Sequence, residues 1–238
     1  MEAVKVTDLH KSYGDFQAVK GITFDVHEGE VFGLIGPNGA GKTTTLRLLA
    51  TLLEITGGKV EIFGKDLKNE APEIRKIISY LPEDAGAYKN MTGRQYLEFI
   101  AGFFIGEKDP VEMVKRGLEI VNLDDRIDDK VETYSKGMAR KLLVGRALMM
   151  EPKLAILDEL TSGLDVVNAQ GIRRIVRNKT REGTTVLLSS HNMLEVELMC
   201  DRIALINDGR IMEMGTPKEL KEKYSANNIE DVFVEVVR

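Results

Sequence analysis

Val31-Phe32-Gly33-Leu34-Ile35-Gly36-Pro37-Asn38-Gly39-Ala40-Gly41-Lys42-Thr43 is the stretch that decides the fold. Its opening run, Val31 to Ile35, is nearly unbroken apolar sequence. Such a run suits a strand covered on both faces, as in a parallel sheet flanked by helices. Gly36 to Thr43 then matches G-x-x-x-x-G-K-[ST], and beyond it Leu46, Leu49, Ala50 and Leu53 recur at helical spacing. Strand, glycine-rich turn and helix, in that order, are the setting in which this pattern holds phosphate. Glycines let the main chain curl so that several N–H groups face one anion, and the helix N-terminus adds about half a positive charge. Lys42 brings a full charge towards β- and γ-phosphates, and Thr43 offers a hydroxyl to Mg2+.

Leu154-Ala155-Ile156-Leu157-Asp158-Glu159 is a second apolar strand, ending in adjacent carboxylates. Open α/β sheets place their ligands at the carboxyl ends of strands. Asp158 there suits Mg2+, which takes few protein carboxylates and keeps much of its water. Glu159 suits the orientation and deprotonation of an attacking water.

Working outward, Val4, Val6 and Leu9 and then Ile22, Phe24 and Val26 follow a period near two around turn-prone Gly14-Asp15, which predicts an opening β-hairpin. The strand–helix alternation returns late, with strands at Leu154–Leu157 and Thr185–Ser189 and helices over about Val166–Lys179 and Met193–Met199. The fold class expected is therefore α/β. Between the two α/β portions, from about Glu70 to Met150, spacings such as Tyr96, Phe99, Ile100, Phe103 and Val114, Leu118, Val121 are helical and predict an inserted helical subdomain. Asn207-Asp208-Gly209 predicts a final hairpin, and Thr216-Pro217-Lys218-Glu219 the capped start of a helix. The tail is left open, because Val232, Val234 and Val236 alternate in a way that fits an extra strand or part of a helix.

Composition narrows the function. The 238 residues are 43% hydrophobic and 30% charged, with a formal net charge of -5, so no global basic footprint for nucleic acid exists. No apolar run approaches the roughly 18 residues that span a bilayer, and the first residues lack the apolar core of a signal peptide, which predicts a cytoplasmic location. Single Cys200, in an apolar stretch, reads as a buried small hydrophobe.

With these motifs in hand, the chain resembles an ATP-binding-cassette ATPase domain through about Leu220, and expected boundaries are 1–224 for that domain, with a helical subdomain over about 85–150, and 225–238 for a short extension. The resemblance implies a P-loop NTPase core with a mixed sheet and an N-terminal antiparallel β region. It implies nucleotide binding by Gly36, Pro37, Asn38, Gly39, Ala40, Gly41, Lys42, Thr43 and Thr44, with Tyr13 stacked on adenine. Tyr134-Ser135-Lys136-Gly137-Met138 stands where the family carries Leu-Ser-Gly-Gly-Gln, a second phosphate-recognising helix start that acts on the nucleotide of a partner chain. Thr161-Ser162-Gly163-Leu164-Asp165 resembles the dimer-contact loop, and His191 matches the histidine that senses the γ-phosphate.

Four positions depart from the family pattern. Glu83 stands where a metal-contacting glutamine is usual, Lys136 and Met138 replace a signature glycine and glutamine, and Leu160 replaces a proline. The first keeps a ligand oxygen for Mg2+ while adding charge near Asp158, and none removes a reacting group. ATP and Mg2+ are the cofactors implied, with Glu159, His191 and Lys42 as the catalytic set and Thr43, Asp158 and Glu83 as the metal set. The partners implied are an integral membrane permease, docked near Glu83 to Tyr88, and a second ATPase, identical or related. Leu-Pro-Glu and Tyr-Ser-Lys-Gly-Met resemble the branch that powers drug, lipid or sodium exporters. The alternative is a soluble ATPase of the same superfamily acting on ribosomes or DNA, against which stand the single cassette and the short separation of Lys42 from Ser135.

Overall fold

The computed structural model describes residues 1–237, with Leu194 and Glu195 described by their backbone alone. Arg238, the last residue of the expected extension, lies outside the described residues.

The chain opens as an antiparallel hairpin, β1 (Glu2–Tyr13) and β2 (Phe16–His27), turning at Gly14-Asp15. Alternation slips between Val6 and Leu9 because Asp8 takes a left-handed φ of 49° and bulges the strand, so both side chains still point inward. β3 (Val31–Ile35) follows, then α1 (Lys42–Leu49), β4 (Gly57–Ile62), β5 (Lys65–Asp66), the short α2 (Ala71–Arg75) and β6 (Ile78–Leu81). Next come α3 (Gly93–Ala101), α4 (Pro110–Val121) and α5 (Lys136–Leu148). The late alternation is β7 (Leu154–Asp158), α6 (Val166–Arg181), β8 (Thr185–Ser190) and α7 (Met193–Met199). β9 (Arg202–Asn207) and β10 (Arg210–Gly215) form the predicted hairpin, and α8 (Pro217–Tyr224) and α9 (Ile229–Val237) end the chain.

Among the described residues the strands form two sheets. The larger runs β10-β9-β3-β8-β7-β6, parallel except for β10, and the smaller runs β2-β1-β4-β5, antiparallel throughout. β3 is internal, and its five residues are all buried, because alternate side chains enter different cores. Val31 and Ile35 pack with α3, α4, α5 and α6, whereas Phe32 and Leu34 pack with α1 and the smaller sheet. The rings of Phe24 and Phe32 stack at 5.5 Å and so join the sheets. Leu34→Ala is expected to cost about 2–5 kcal/mol in urea denaturation, since the side chain is fully enclosed. A loss below about 1 kcal/mol, the size of an ordinary substitution, would place β3 outside the core.

The structure differs from the expectations at three places. Ile78–Leu81, inside the stretch expected to be helical, is a strand paired with β7 at the edge of the larger sheet. β4 and β5 were not foreseen, and β4 pairs with β1. α1 stops at Leu49, so Leu53 lies beyond it, because Thr51 turns left-handed at φ 60°. Of the two alternatives left open for the tail, the structure has the helix: Ile229, Val232, Phe233 and Val236 line one face of α9 against the core. The helix start at Thr216 is a capping box, with Thr216 and Glu219 each bonding the other's backbone N–H. Cys200 is buried.

Candidate active site

Four parallel strands deliver their carboxyl ends to one edge of the larger sheet: Gly36 after β3, Asp158 and Glu159 at β7, Ser190 and His191 at β8, and Pro82-Glu83 after β6. Topology thus gathers residues distant in sequence, as the strand-end rule for open sheets requires.

The glycine-rich turn is fixed by close approaches. A Cβ on Gly36 would lie 2.0 Å from the Ile206 carbonyl oxygen, so β9 leaves room only for glycine there. Gly41 takes φ 102° directly before α1, and a Cβ there would meet the Ala18 carbonyl at 2.7 Å. Lys42, 5% exposed, folds back over the turn. Its ammonium donates to the Gly36 and Pro37 carbonyls at 2.8 and 3.1 Å and lies 3.4 Å from Glu159 Oε1. Two main-chain carbonyls and one carboxylate thus surround the ammonium in the resting site.

The acids are held from behind. Asp158 is 1% exposed; Ser189 Oγ donates to its Oδ1 at 2.5 Å, and Thr43 Oγ1 donates to the same atom at 3.3 Å. The backbone N–H of Glu159 donates to Ser189 Oγ at 3.1 Å. Glu159 has a left-handed φ of 47°, unusual for a side chain of its kind, and this turn aims the carboxylate at the phosphate loop. His191 Nδ1 meets Glu159 Oε2 at 2.7 Å, and the His191 backbone N–H donates to the same oxygen at 3.4 Å. One carboxylate is thereby shared between the Lys42 ammonium and the His191 ring.

A cavity of about 240 Å³ opens over this cluster, lined by Asn38, Gly39, Gly41, Lys42, Thr43, Thr44, Glu83 and Glu159 together with Phe16 and Ala18. The structure thus brings the phosphate loop, Glu159 and Glu83 to one surface. Tyr13 is not among the lining side chains. It ends β1 about half exposed, under the Lys11 ammonium at 5.1 Å from the ring centre, and Phe16 across the hairpin turn is the aromatic at the cavity.

Ser135, Lys136, Gly137 and Met138 stand away from that cavity. Ser135 is the N-cap of α5, its Oγ accepting from Met138 N at 3.2 Å, and Lys136 lines an adjoining cavity of about 210 Å³ that also reaches Glu83, Glu159, Ser162 and Leu164. Gly163, at φ 65°, lies directly under the Lys136 ammonium. Ser162 N donates to the Glu159 carbonyl at 3.2 Å, so this loop is continuous with the acid-bearing turn. Asp165 caps α6, and the backbone N–H of Asn168, with its side-chain amide in second place, holds the Asp165 carboxyl below its ordinary pKa.

A metal would find few protein ligands here. Among the described residues no cluster of three His, Cys, Asp or Glu side chains is arranged to hold one. Adjacent Thr43 hydroxyl and Asp158 carboxylate oxygens nevertheless fit Mg2+, a hard cation that needs one or two protein oxygens and fills the rest of its shell with phosphate and water. Sequence reasoning missed Phe16, Ser189 as a clamp on Asp158, and Arg140, whose guanidinium binds the carbonyls of the acid-bearing turn.

A phosphate loop at the carboxyl edge of a parallel sheet, with two acids and a histidine beside it, defines a phosphate-loop nucleotide hydrolase. The comparisons with known proteins give its family. The sequence pattern of the ABC transporter family matches residues 19–162. The linearmycin resistance ATP-binding protein LnrL of Bacillus subtilis is 34% identical over 95% of this chain and 73% of its own length. The fluoroquinolones export ATP-binding protein of Mycobacterium tuberculosis strain H37Rv is 40% identical over 86% of this chain and 67% of its own length. A solved ATP-binding subunit of an ABC transporter superposes with a TM-score of 0.86 at 28% identity, covering 99% of this chain and 100% of that one. This chain belongs to the ABC transporter family, as an ATP-binding and ATP-hydrolysing subunit.

Proposed function

We propose that this chain is the motor of a membrane exporter, hydrolysing ATP between two cassettes that close head to tail. The single observation that carries the hydrolysis is the triangle Lys42, Glu159 and His191, with Asp158 and Thr43 alongside. The names of the relatives, one for resistance and one for export, set this reading above a soluble ribosome- or DNA-acting ATPase.

In the resting site Glu159 occupies the place of an anion next to Lys42. The terminal phosphates of ATP are stronger anions, and they take over the Lys42 protons while the N–H groups of Gly39 to Thr43 surround them. Released from Lys42, the Glu159 carboxylate stays oriented by His191 and accepts the proton of the water that attacks the γ-phosphorus, while the bond from that phosphorus to the bridging oxygen breaks and ADP leaves. Thr43 and Asp158, with Glu83 at the cavity edge, are the residues that would hold Mg2+. When bound, Mg2+ neutralises charge that builds on the phosphate oxygens.

In this reading the Ser135 helix start serves the nucleotide of a second chain, a copy of this one or a relative, and the absence of Ser135 to Met138 from the lining of the cavity over Lys42 supports it. Ser135→Arg is expected to leave nucleotide affinity of the single chain intact and to lower turnover by about 10²-fold or more, the scale of losing a transition-state donor. Unchanged turnover in a variant with wild-type melting behaviour would argue against the sandwich.

No helix among the described residues is long and apolar enough to cross a membrane. Attachment to the inner face of the cell membrane through a separate permease is the reading that the relatives' names for resistance and export support. Support for a docking site comes from Tyr88, Phe99 and Phe103, whose rings meet edge to face at 5.5 and 5.1 Å with Phe103 70% exposed. Exposed apolar clusters of this kind mark interaction surfaces. The membrane protein recovered with this chain from native cells tests the export reading: an exporter permease supports it, and an importer permease or ribosomes overturn it.

A further inference from the structure

Arg140 is a buried charge that the mechanism above does not use. It lies on α5, in the turn after Ser135, and is 9% exposed. Every hydrogen bond described for its guanidinium goes to a main-chain carbonyl. Nε donates to Leu160 O at 2.7 Å; Nη2 donates to Asp158 O at 3.0 Å and to Glu159 O at 2.8 Å. Nη1 reaches Pro82 O and Glu83 O at 3.4 and 3.3 Å.

Three consecutive carbonyls, of Asp158, Glu159 and Leu160, thus converge on one cation. Carbonyl oxygens repel one another when they face the same point, and the left-handed Glu159 is itself a strained conformation that only its surroundings can impose. A planar fork with five fixed N–H donors meets this array; an ammonium, a single mobile point, does not. Burial pulls the guanidinium pKa below its ordinary value, and the nearby Glu83, Asp158 and Glu159 carboxylates offset only part of that.

The segments joined are those that carry chemistry: the turn bearing both acids, the Pro82-Glu83 turn and the helix capped by Ser135. We propose that Arg140 is a positioning residue for ATP hydrolysis, its guanidinium clamping the acid-bearing turn in the conformation that aims Glu159 and tying that turn to the signature helix. It touches no substrate and acts through Glu159. This rests on the reading of Glu159 as the base.

The test compares Arg140→Gln and Arg140→Lys with wild type and with Glu159→Gln, all in the full chain. Affinity for a non-hydrolysable ATP analogue, kcat and melting temperature are measured for each. Because none of the hydrogen bonds described for Arg140 goes to the phosphate loop, analogue affinity is expected to stay at the wild-type value. kcat is expected to fall about 10²-fold in Arg140→Gln, the scale of an ångström of misplacement at a reacting group, with part of that loss recovered in Arg140→Lys. A folded Arg140→Gln or Arg140→Lys chain with wild-type kcat overturns the proposal. So does a loss of analogue affinity parallel to the loss of kcat, or failure of the charge-preserving Arg140→Lys chain to fold, either of which makes the role purely structural. Full turnover in Glu159→Gln would instead remove the hydrolysis reading itself; slow Glu159→Gln beside normal Arg140 variants sinks the Arg140 proposal alone.

Discussion

Glu159→Gln is expected to bind ATP and to hydrolyse it about 10²- to 10⁴-fold more slowly than wild type, the range of a lost general base. The amide fills the same space and still offers an oxygen to His191, so the turn should keep its shape. It cannot accept a proton from water. The substitution also frees Lys42 from its resting partner at 3.4 Å, so the phosphates no longer compete with a carboxylate and ATP affinity should rise. With binding intact and turnover slowed, the variant should accumulate as a dimer on size exclusion in ATP and return to monomer when ATP is withdrawn. Full turnover would remove Glu159 as the base.

Lys42→Ala should weaken ATP binding by about 10²-fold or more, since truncating one member of a buried charge pair costs 2–5 kcal/mol and each 1.4 kcal/mol is tenfold. The same change leaves Glu159, 5% exposed, without its ammonium partner. Loss of stability is therefore expected as well, and thermal melting has to accompany the titration. The combination Lys42→Ala with Glu159→Gln removes both charges and separates the effects: stability should return while nucleotide affinity should not. Normal affinity in Lys42→Ala would contradict the loop assignment.

What the sequence shows well is whatever depends on neighbours in the chain. Val31 to Thr43 reads directly as strand and turn because burial on both faces leaves no polar position to confuse the pattern. The turn at Asn207-Asp208-Gly209 and the capping box at Thr216 are local chemistry and appear as foreseen. Ile78–Leu81 is different: it is four residues between helices, and only its pairing with β7 across a long stretch of chain makes it a strand. β4 is likewise defined by β1 rather than by itself.

The tail is undecided in sequence because Val232, Val234 and Val236 alternate, while Ile229, Val232, Phe233 and Val236, the set that faces the core, are at helical spacing. At the site, the acids and the loop are legible because their residue types carry the chemistry. Arg140 is not, because a basic residue on an amphipathic helix looks solvated until its five carbonyl partners are known. Phe16 is hidden for a similar reason: which aromatic of a hairpin end meets the cavity is settled by the turn between β1 and β2 and not by spacing.

A crystal structure of the Glu159→Gln chain grown with ATP and Mg2+ would show whether the terminal phosphates sit between the glycine-rich turn and the two acids. The account predicts the terminal phosphates inside the curl of Gly36 to Thr43, within hydrogen-bond distance of Lys42 Nζ, with Asp158 and position 159 beside the γ-phosphate. A triphosphate seated elsewhere, or seated in the loop with position 159 turned away from the γ-phosphate, would contradict it.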